Sequence, residues 1–118
     1  MKVNAEVDTL LNKIIKDLED VKAKNIQIIN IKNRSALGDY MIIVSGTSSR
    51  HINSIVSNIV KLNKTRILST EGINSTDWLI VDFGDIILNV FKPETRKHYS
   101  LEKIWKNNDL KEEKVGFG

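Results

Sequence analysis

The sequence DYMIIVSGTSSRHINSIV, residues 39–56, decides the fold. Its residues 40–44 are continuously apolar, which is typical of a strand that is buried on both faces. Gly46 to Ser49 has the composition of a turn, and Ser48 is a candidate N-cap for an amphipathic helix over residues 48–63. The stretch therefore predicts an interior strand that leads directly into a helix, as in α/β proteins.

The segments on either side of this stretch continue the alternation of helices and strands. A helix is predicted over residues 5–23, because apolar residues recur there at spacings of three and four: Val7, Leu10, Leu11, Ile14, Ile15, Leu18 and Val21. Residues 26–31 predict a first strand, and residues 65–68 a short third strand. A strand, helix, strand succession predicts a right-handed crossover, so we expect the third strand to pair in parallel with residues 40–44.

The C-terminal half predicts a hairpin and a final helical cluster. Residues 78–83 and 86–91 are apolar strands separated by Gly84-Asp85, a pair of residues that favours a tight type I′ or II′ turn. Apolar residues then recur at helical spacing: Tyr99, Leu101, Ile104 and Trp105. We expect a single α/β (α+β) domain over residues 1–106, with a five-stranded mixed sheet covered by helices, and a polar, flexible tail over residues 107–118.

Composition excludes several classes of protein. The chain has 118 residues, no Cys and two His, which excludes a disulfide frame, a thiolate nucleophile and a Cys-based or three-His metal site. We therefore expect neither a metal nor a cofactor. No apolar run approaches the ~20 residues that a membrane span needs, and no leader pattern precedes the first helix. The expectation is a cytoplasmic protein that does not enter membranes.

Charge is distributed unevenly along the chain. The net charge is +3, yet residues 71–91 contain four carboxylates, from Glu71, Asp77, Asp82 and Asp85, and no basic residue. Such a segment indicates a binding face for a basic partner, although four carboxylates can also simply solvate a loop and a turn. Trp78 lies in this segment and shares a strand face with Asp82, which places it near a surface unless it only fills the core.

The Gly46–Arg50 turn supports an enzymatic alternative. A glycine and hydroxyl groups between a buried strand and a helix N-terminus can hold a phosphate, so a divergent nucleotidyltransferase would use Gly46, Ser48 and Asp82. The acidic pair on one strand face that would hold magnesium is missing, and so is the Walker lysine. Asp39, just before the central strand, is either a general base or a loop carboxylate, and His51 has no partnered Ser or Cys triad. In the structural alternative, Gly46 permits a tight turn and Ser48 caps the helix.

Three segments together resemble the ribosomal silencing factor family, also called Iojap. They are DYMIIVSGTSSRHINSIV (39–56), EGINSTDWLIVDFGDIILNVF (71–91) and the Tyr-x-Leu-Glu-x-x-Trp pattern of residues 99–105. The resemblance implies an α/β fold related in topology to nucleotidyltransferases but without their catalytic acids, and a protein that is not an enzyme. It also implies frequent homodimers.

The same resemblance implies a function in translation. Members of this family bind the large ribosomal subunit through ribosomal protein L-fourteen, block joining of the small subunit and repress translation. No direct sequence-specific contact with nucleic acid is implied. The family's contact region corresponds to Trp78, Asp82, Phe83, Gly84 and Asp85 of this sequence, whereas Asn89 departs from the histidine expected at its position.

Overall fold

The computed structural model describes residues 3–32, 38–73 and 77–95 of the chain. These residues form the helices α1 and α2, one 3-10 turn and a five-stranded sheet in the strand order β1-β2-β5-β4-β3, and residues 93–95 are helical as well. In chain order the elements are α1 (Val3–Asp20), β1 (Lys24–Asn30), β2 (Tyr40–Ser45), α2 (Ser49–Leu62), the 3-10 turn (Lys64–Arg66), β3 (Ser69–Ile73), β4 (Trp78–Asp82) and β5 (Ile86–Phe91). The predicted single-domain α+β fold with a five-stranded mixed sheet is confirmed.

The strand pairing confirms part of the predicted topology and corrects the rest. β2 lies inside the sheet, as predicted, but its parallel partner is β5, which occupies the centre of the sheet. The prediction of a third strand over residues 65–68 is wrong, because a 3-10 turn occupies residues 64–66 and β3 begins only at Ser69. The predicted parallel pairing with β2 is wrong as well: β3 forms one edge of the sheet and pairs antiparallel with β4.

One face of the sheet, here called the helix face, is covered by α1 and α2. The apolar stripe of α1 and the buried residues of α2 pack there against alternate residues of β2, β4 and β5. Successive side chains of a strand point to opposite faces of the sheet. Because β2 lies inside a sheet that buries residues on both faces, it needs apolar side chains on both faces. The fully buried side chains on the helix face include Ile14, Leu18, Ile42, Val44, Ile52, Ile55, Ile59, Leu88 and Val90.

The opposite face of the sheet, here called the second face, has its own buried cluster. It consists of Ile29, Ile31, Met41, Ile43 and Phe91, and Trp78 packs against it. The register of the strands places all of these side chains except Ile31, which follows β1, on the same side of the sheet. The second face therefore buries apolar side chains, although neither α1 nor α2 lies over it.

The helix predicted over residues 5–23 ends three residues earlier, at Asp20, for a local reason. Lys22 adopts a positive φ of 60°, and its N–H donates to the carbonyl of Glu19 at 3.0 Å. The N–H of Ala23 donates to the carbonyl of Leu18, also at 3.0 Å. This pair of hydrogen bonds is a Schellman motif, which closes α1 and turns the chain into β1.

A partly buried polar cluster joins α1 to the end of α2. Lys13 Nζ donates to Asp17 Oδ2 at 2.9 Å and to Asn63 Oδ1 at 3.0 Å. Asn63 Nδ2 donates to the carbonyl of Ile59 at 2.9 Å and to Asp17 Oδ2 at 3.3 Å. Asn63 follows the last helical residue, so its side-chain amide gives the Ile59 carbonyl a second donor beside Asn63 N and also ties the two helices together.

Candidate partner-binding face

The hairpin predicted over residues 78–91 is present. β4 and β5 pair antiparallel from Trp78↔Phe91 to Asp82↔Ile87, and the N–H of Phe83 donates to the carbonyl of Ile86 at 2.9 Å. Gly84 adopts a φ of +94° at the first position of the turn, a conformation that other residues rarely take. The glycine therefore sets the turn, and the turn places Asp85 at the tip.

The hairpin tip is fixed to the beginning of β2. The carbonyl of Asp85 accepts two main-chain hydrogen bonds, from Asp39 N at 2.7 Å and from Tyr40 N at 3.1 Å. Gly38 permits this approach, because a Cβ at that position would lie 2.8 Å from the same carbonyl oxygen. Asp85 thus has a restrained backbone, whereas its side chain is exposed.

Trp78 lies on the second face and is partly buried. Its ring stacks on Phe91 with a centroid distance of 4.7 Å and an interplanar angle of 25°. Its Nε1 donates to Asn89 Oδ1 at 3.0 Å. The strand register places Ile80 and Asp82 on the same face, as the alternation of the sequence predicts. These two contacts orient Trp78 in the free protein, and part of its surface stays accessible.

The four carboxylates of residues 71–91 differ in what they contact. Asp77 Oδ1 forms an ion pair with Lys92 Nζ at 3.3 Å, and Asp82 Oδ1 accepts from Gly84 N at 2.8 Å. Glu71 on β3 and Asp85 at the hairpin tip are exposed. Glu71 and Asp85 are therefore the carboxylates most accessible to a partner, and Asp82 adds negative charge on the second face.

The five residues predicted to contact a partner differ in their location and accessibility. Asp82 shares the second face with Trp78, and Asp85 lies at the adjoining tip. Phe83, in contrast, is only 6% exposed and packs in the core of the helix face. Gly84 acts through its backbone. The direct role of these residues in binding stays a prediction, and for Phe83 the burial leaves a role in shaping the hairpin.

The Gly46–Arg50 turn uses its polar groups internally. Gly46 N donates to the carbonyl of Phe91 at 2.9 Å, and Thr47 N donates to His51 Nδ1 at 2.9 Å. Ser48 caps α2 as predicted, since its side chain accepts from His51 N at 3.1 Å. A phosphate cradle needs such N–H groups unpaired. Three of them already have acceptors, so this geometry favours the structural alternative for the turn.

His51 links two parts of the fold through its ring and its main chain. Its Nδ1 accepts from Thr47 N, so its Nε2 carries the proton and donates to the carbonyl of Val21 at 2.9 Å. The ring thereby joins the start of α2 to the turn after α1. Asp39 contributes its main chain to the hairpin contact described above. His98 and the cluster of residues 99–105 lie outside the described residues.

The described parts of the chain contain neither a cluster of metal-ligating side chains nor a helix that could span a membrane. Within residues 3–32, 38–73 and 77–95, no three His, Cys, Asp or Glu side chains stand close enough together to hold a metal ion. Over the same residues, no helix combines the length and the apolar composition needed to cross a membrane.

These features define a small α+β protein with a tryptophan-bearing sheet face and an acidic hairpin tip beside it. The family described as "Ribosomal silencing factor during starvation" matches residues 4–116. The chain belongs to this ribosomal silencing factor family.

Relatives of known sequence and structure agree with this assignment. The chain is 33% identical to the ribosomal silencing factor RsfS of Zymomonas mobilis, covering 92% of this chain and 84% of that one. It is 35% identical to the mouse protein called mitochondrial assembly of ribosomal large subunit protein 1, covering 80% of this chain and 44% of that one. A crystal structure of a Chromobacterium violaceum protein is similar, with a TM-score of 0.77, 28% identity and coverage of 84% and 85%.

Proposed function

We propose that the protein is a translation repressor that binds the large ribosomal subunit through ribosomal protein L-fourteen and blocks its association with the small subunit. The observation that carries this proposal is the family match over residues 4–116. The name of the mouse relative, which refers to assembly of the large ribosomal subunit, supports the same subunit as the partner. The bound protein would exclude the small subunit by steric overlap.

The geometry of the second face supports a protein partner. Ribosomal proteins are basic, so the exposed carboxylates of Glu71 and Asp85 complement them and accelerate encounter. Trp78 provides an aromatic anchor that can be desolvated, which is the kind of residue that dominates interface energies. Because the hairpin is already ordered, little conformational entropy is lost on binding.

The proposal makes the protein a blocker and not an enzyme. It needs a surface, no cofactor and no sequence-specific nucleic acid contact, and it acts in the cytoplasm where the subunits join. The internal hydrogen bonds of the Gly46–Arg50 turn support this choice over the nucleotidyltransferase alternative.

The free protein is proposed to be a homodimer. β3 is an edge strand whose residues 69–72 are exposed, and the second face carries apolar surface beside Trp78. A contact between two copies should be isologous, with the same patch used on both chains. Light scattering should give twice the 13.4 kDa mass of the chain, and a single 13.4 kDa species at high concentration would contradict the dimer.

The function can be tested with purified subunits and the variant Asp85→Lys. Wild-type protein should co-sediment with large subunits and lower protein synthesis only when it is added before the subunits join. Asp85→Lys reverses the charge at the hairpin tip, so association with large subunits should slow several-fold and depend less steeply on salt. Stopped-flow mixing at two ionic strengths measures both effects.

The matched control is Glu19→Lys, which makes the same change in net charge at an exposed position of α1, away from the hairpin. It should leave the association rate close to that of the wild type. Equal slowing by the two variants would mean that only net charge matters. Failure of the wild type to bind large subunits, or to affect joining, would contradict the proposed function itself.

A further inference from the structure

The buried side-chain amide of Asn89 forms a hydrogen bond through its oxygen but not through its nitrogen. Its side chain lies on the second face of β5 and is 2% exposed. Trp78 Nε1 donates to Asn89 Oδ1, and because an indole N–H can only donate, this contact fixes which end of the amide faces the tryptophan. Asn89 Nδ2 then points elsewhere, and it has no hydrogen-bond partner within the part of the chain that the structure describes.

The surroundings of Asn89 make this unpaired donor costly. The residues beside it on the neighbouring strands are Ile43 of β2 and Ile80 of β4, whose side chains cannot accept a hydrogen bond. A buried donor without a partner costs about 1–3 kcal/mol of stability, and such groups are rare in native proteins. The hydrogen bond to Trp78 accounts for Oδ1 of this side chain, but neither that bond nor packing accounts for a buried Nδ2 without an acceptor.

The charge of the second face selects the kind of acceptor. The strand register puts Glu71 and Asp82 on the same face as Asn89. These carboxylates repel phosphates and acidic side chains, so an anionic acceptor is disfavoured. The remaining common acceptor in a protein partner is a neutral main-chain carbonyl, and the same carboxylates favour a partner segment that also carries Lys or Arg.

We propose that Asn89 is a specificity-determining residue of the partner-binding face, whose Nδ2 donates to a main-chain carbonyl of the basic protein segment that packs against Trp78. The inference rests on the proposed function. Since the amide is buried beside the indole, the carbonyl reaches it only when Trp78 shifts during docking. The hydrogen bond therefore slows dissociation and leaves the rate of encounter unchanged.

The test compares Asn89→Leu with Asn89→His. Leucine removes the unpaired Nδ2 and also the acceptor of Trp78 Nε1, and because these two effects on stability oppose each other, the melting temperature should stay close to that of the wild type. Its affinity for large ribosomal subunits should nevertheless fall about tenfold through faster dissociation. Histidine can accept from Trp78 with one ring nitrogen and donate with the other, so Asn89→His should bind within about threefold of the wild type.

A direct readout uses the side-chain amide resonance of Asn89 with purified ribosomal protein L-fourteen as the probe. One amide proton should shift downfield and become protected from solvent exchange in the complex. The inference is overturned if that resonance is unchanged in the complex, if Asn89→Leu binds large subunits as tightly as the wild type, or if Asn89→Leu lowers the melting temperature and Asn89→His does not restore binding. If the wild-type protein does not bind large subunits, that result contradicts the proposed function itself and therefore also this inference.

Discussion

Trp78→Ala should bind large ribosomal subunits about thirtyfold more weakly than the wild type, a loss of about 2 kcal/mol that appears mainly as faster dissociation. The variant loses the anchor of the proposed interface and its hydrogen bond to Asn89. The measurement is a dissociation rate from labelled large subunits, combined with the order-of-addition translation assay. In that assay, repression should fall in proportion to occupancy.

Trp78→Phe is the informative companion variant, because it keeps a ring that can stack on Phe91 and removes only the indole N–H. It should fall between the alanine variant and the wild type. Circular dichroism must show that both variants are folded, since Trp78 also packs on the second-face cluster. Folded Trp78→Ala protein that binds and blocks joining like the wild type would refute the role given to this residue.

Phe91→Ala should lower the free energy of unfolding by about 3–5 kcal/mol. The ring of Phe91 is fully buried in the second-face cluster, and Trp78 stacks directly on it. Its removal leaves a cavity in a face that neither α1 nor α2 can close. For a domain of this size the melting temperature should fall by more than about 10 °C, measured by calorimetry or thermal circular dichroism.

Leu68→Ala is the control for this stability prediction. Leu68 is 72% exposed, so its truncation should change the free energy of unfolding by no more than about 0.5 kcal/mol. If Phe91→Ala cost as little as this control, the second face would not be the packed layer that its burial indicates.

The parts of the fold that could be predicted from the sequence are those whose burial leaves a periodic pattern. The stripe of α1, the unbroken apolar run of β2 and the Gly84-Asp85 hairpin each have such a local cause, and each is present. β3 was missed because it is an exposed edge strand, whose Ser-Thr-Glu-Gly-Ile sequence carries no alternation. The true parallel partner of β2 could not be chosen either, since β5 is equally apolar and only long-range packing decides between candidates.

The candidate site likewise has features that a local sequence pattern predicts and features that only long-range contacts determine. Strand alternation is enough to put Trp78 and Asp82 on one face, and the register confirms it. It does not show that Phe83 turns into the helix-face core, or that the side chain of Asn89 comes within hydrogen-bonding distance of the Trp78 indole. The sequence marks Asn89 as a polar residue in an otherwise apolar strand and as a departure from the histidine that the resemblance implies, but neither signal connects it with Trp78.

The tip of a β-hairpin is ordinarily the part of a sheet that best tolerates added residues. Here the carbonyl of Asp85 receives the N–H groups of both Asp39 and Tyr40, and Gly38 packs against it without room for a side chain. Lengthening this turn by even one residue would therefore break the main-chain hydrogen bonds that join the hairpin to β2. Natural insertions and engineered tags should be excluded from this turn as strictly as from the interior of the sheet.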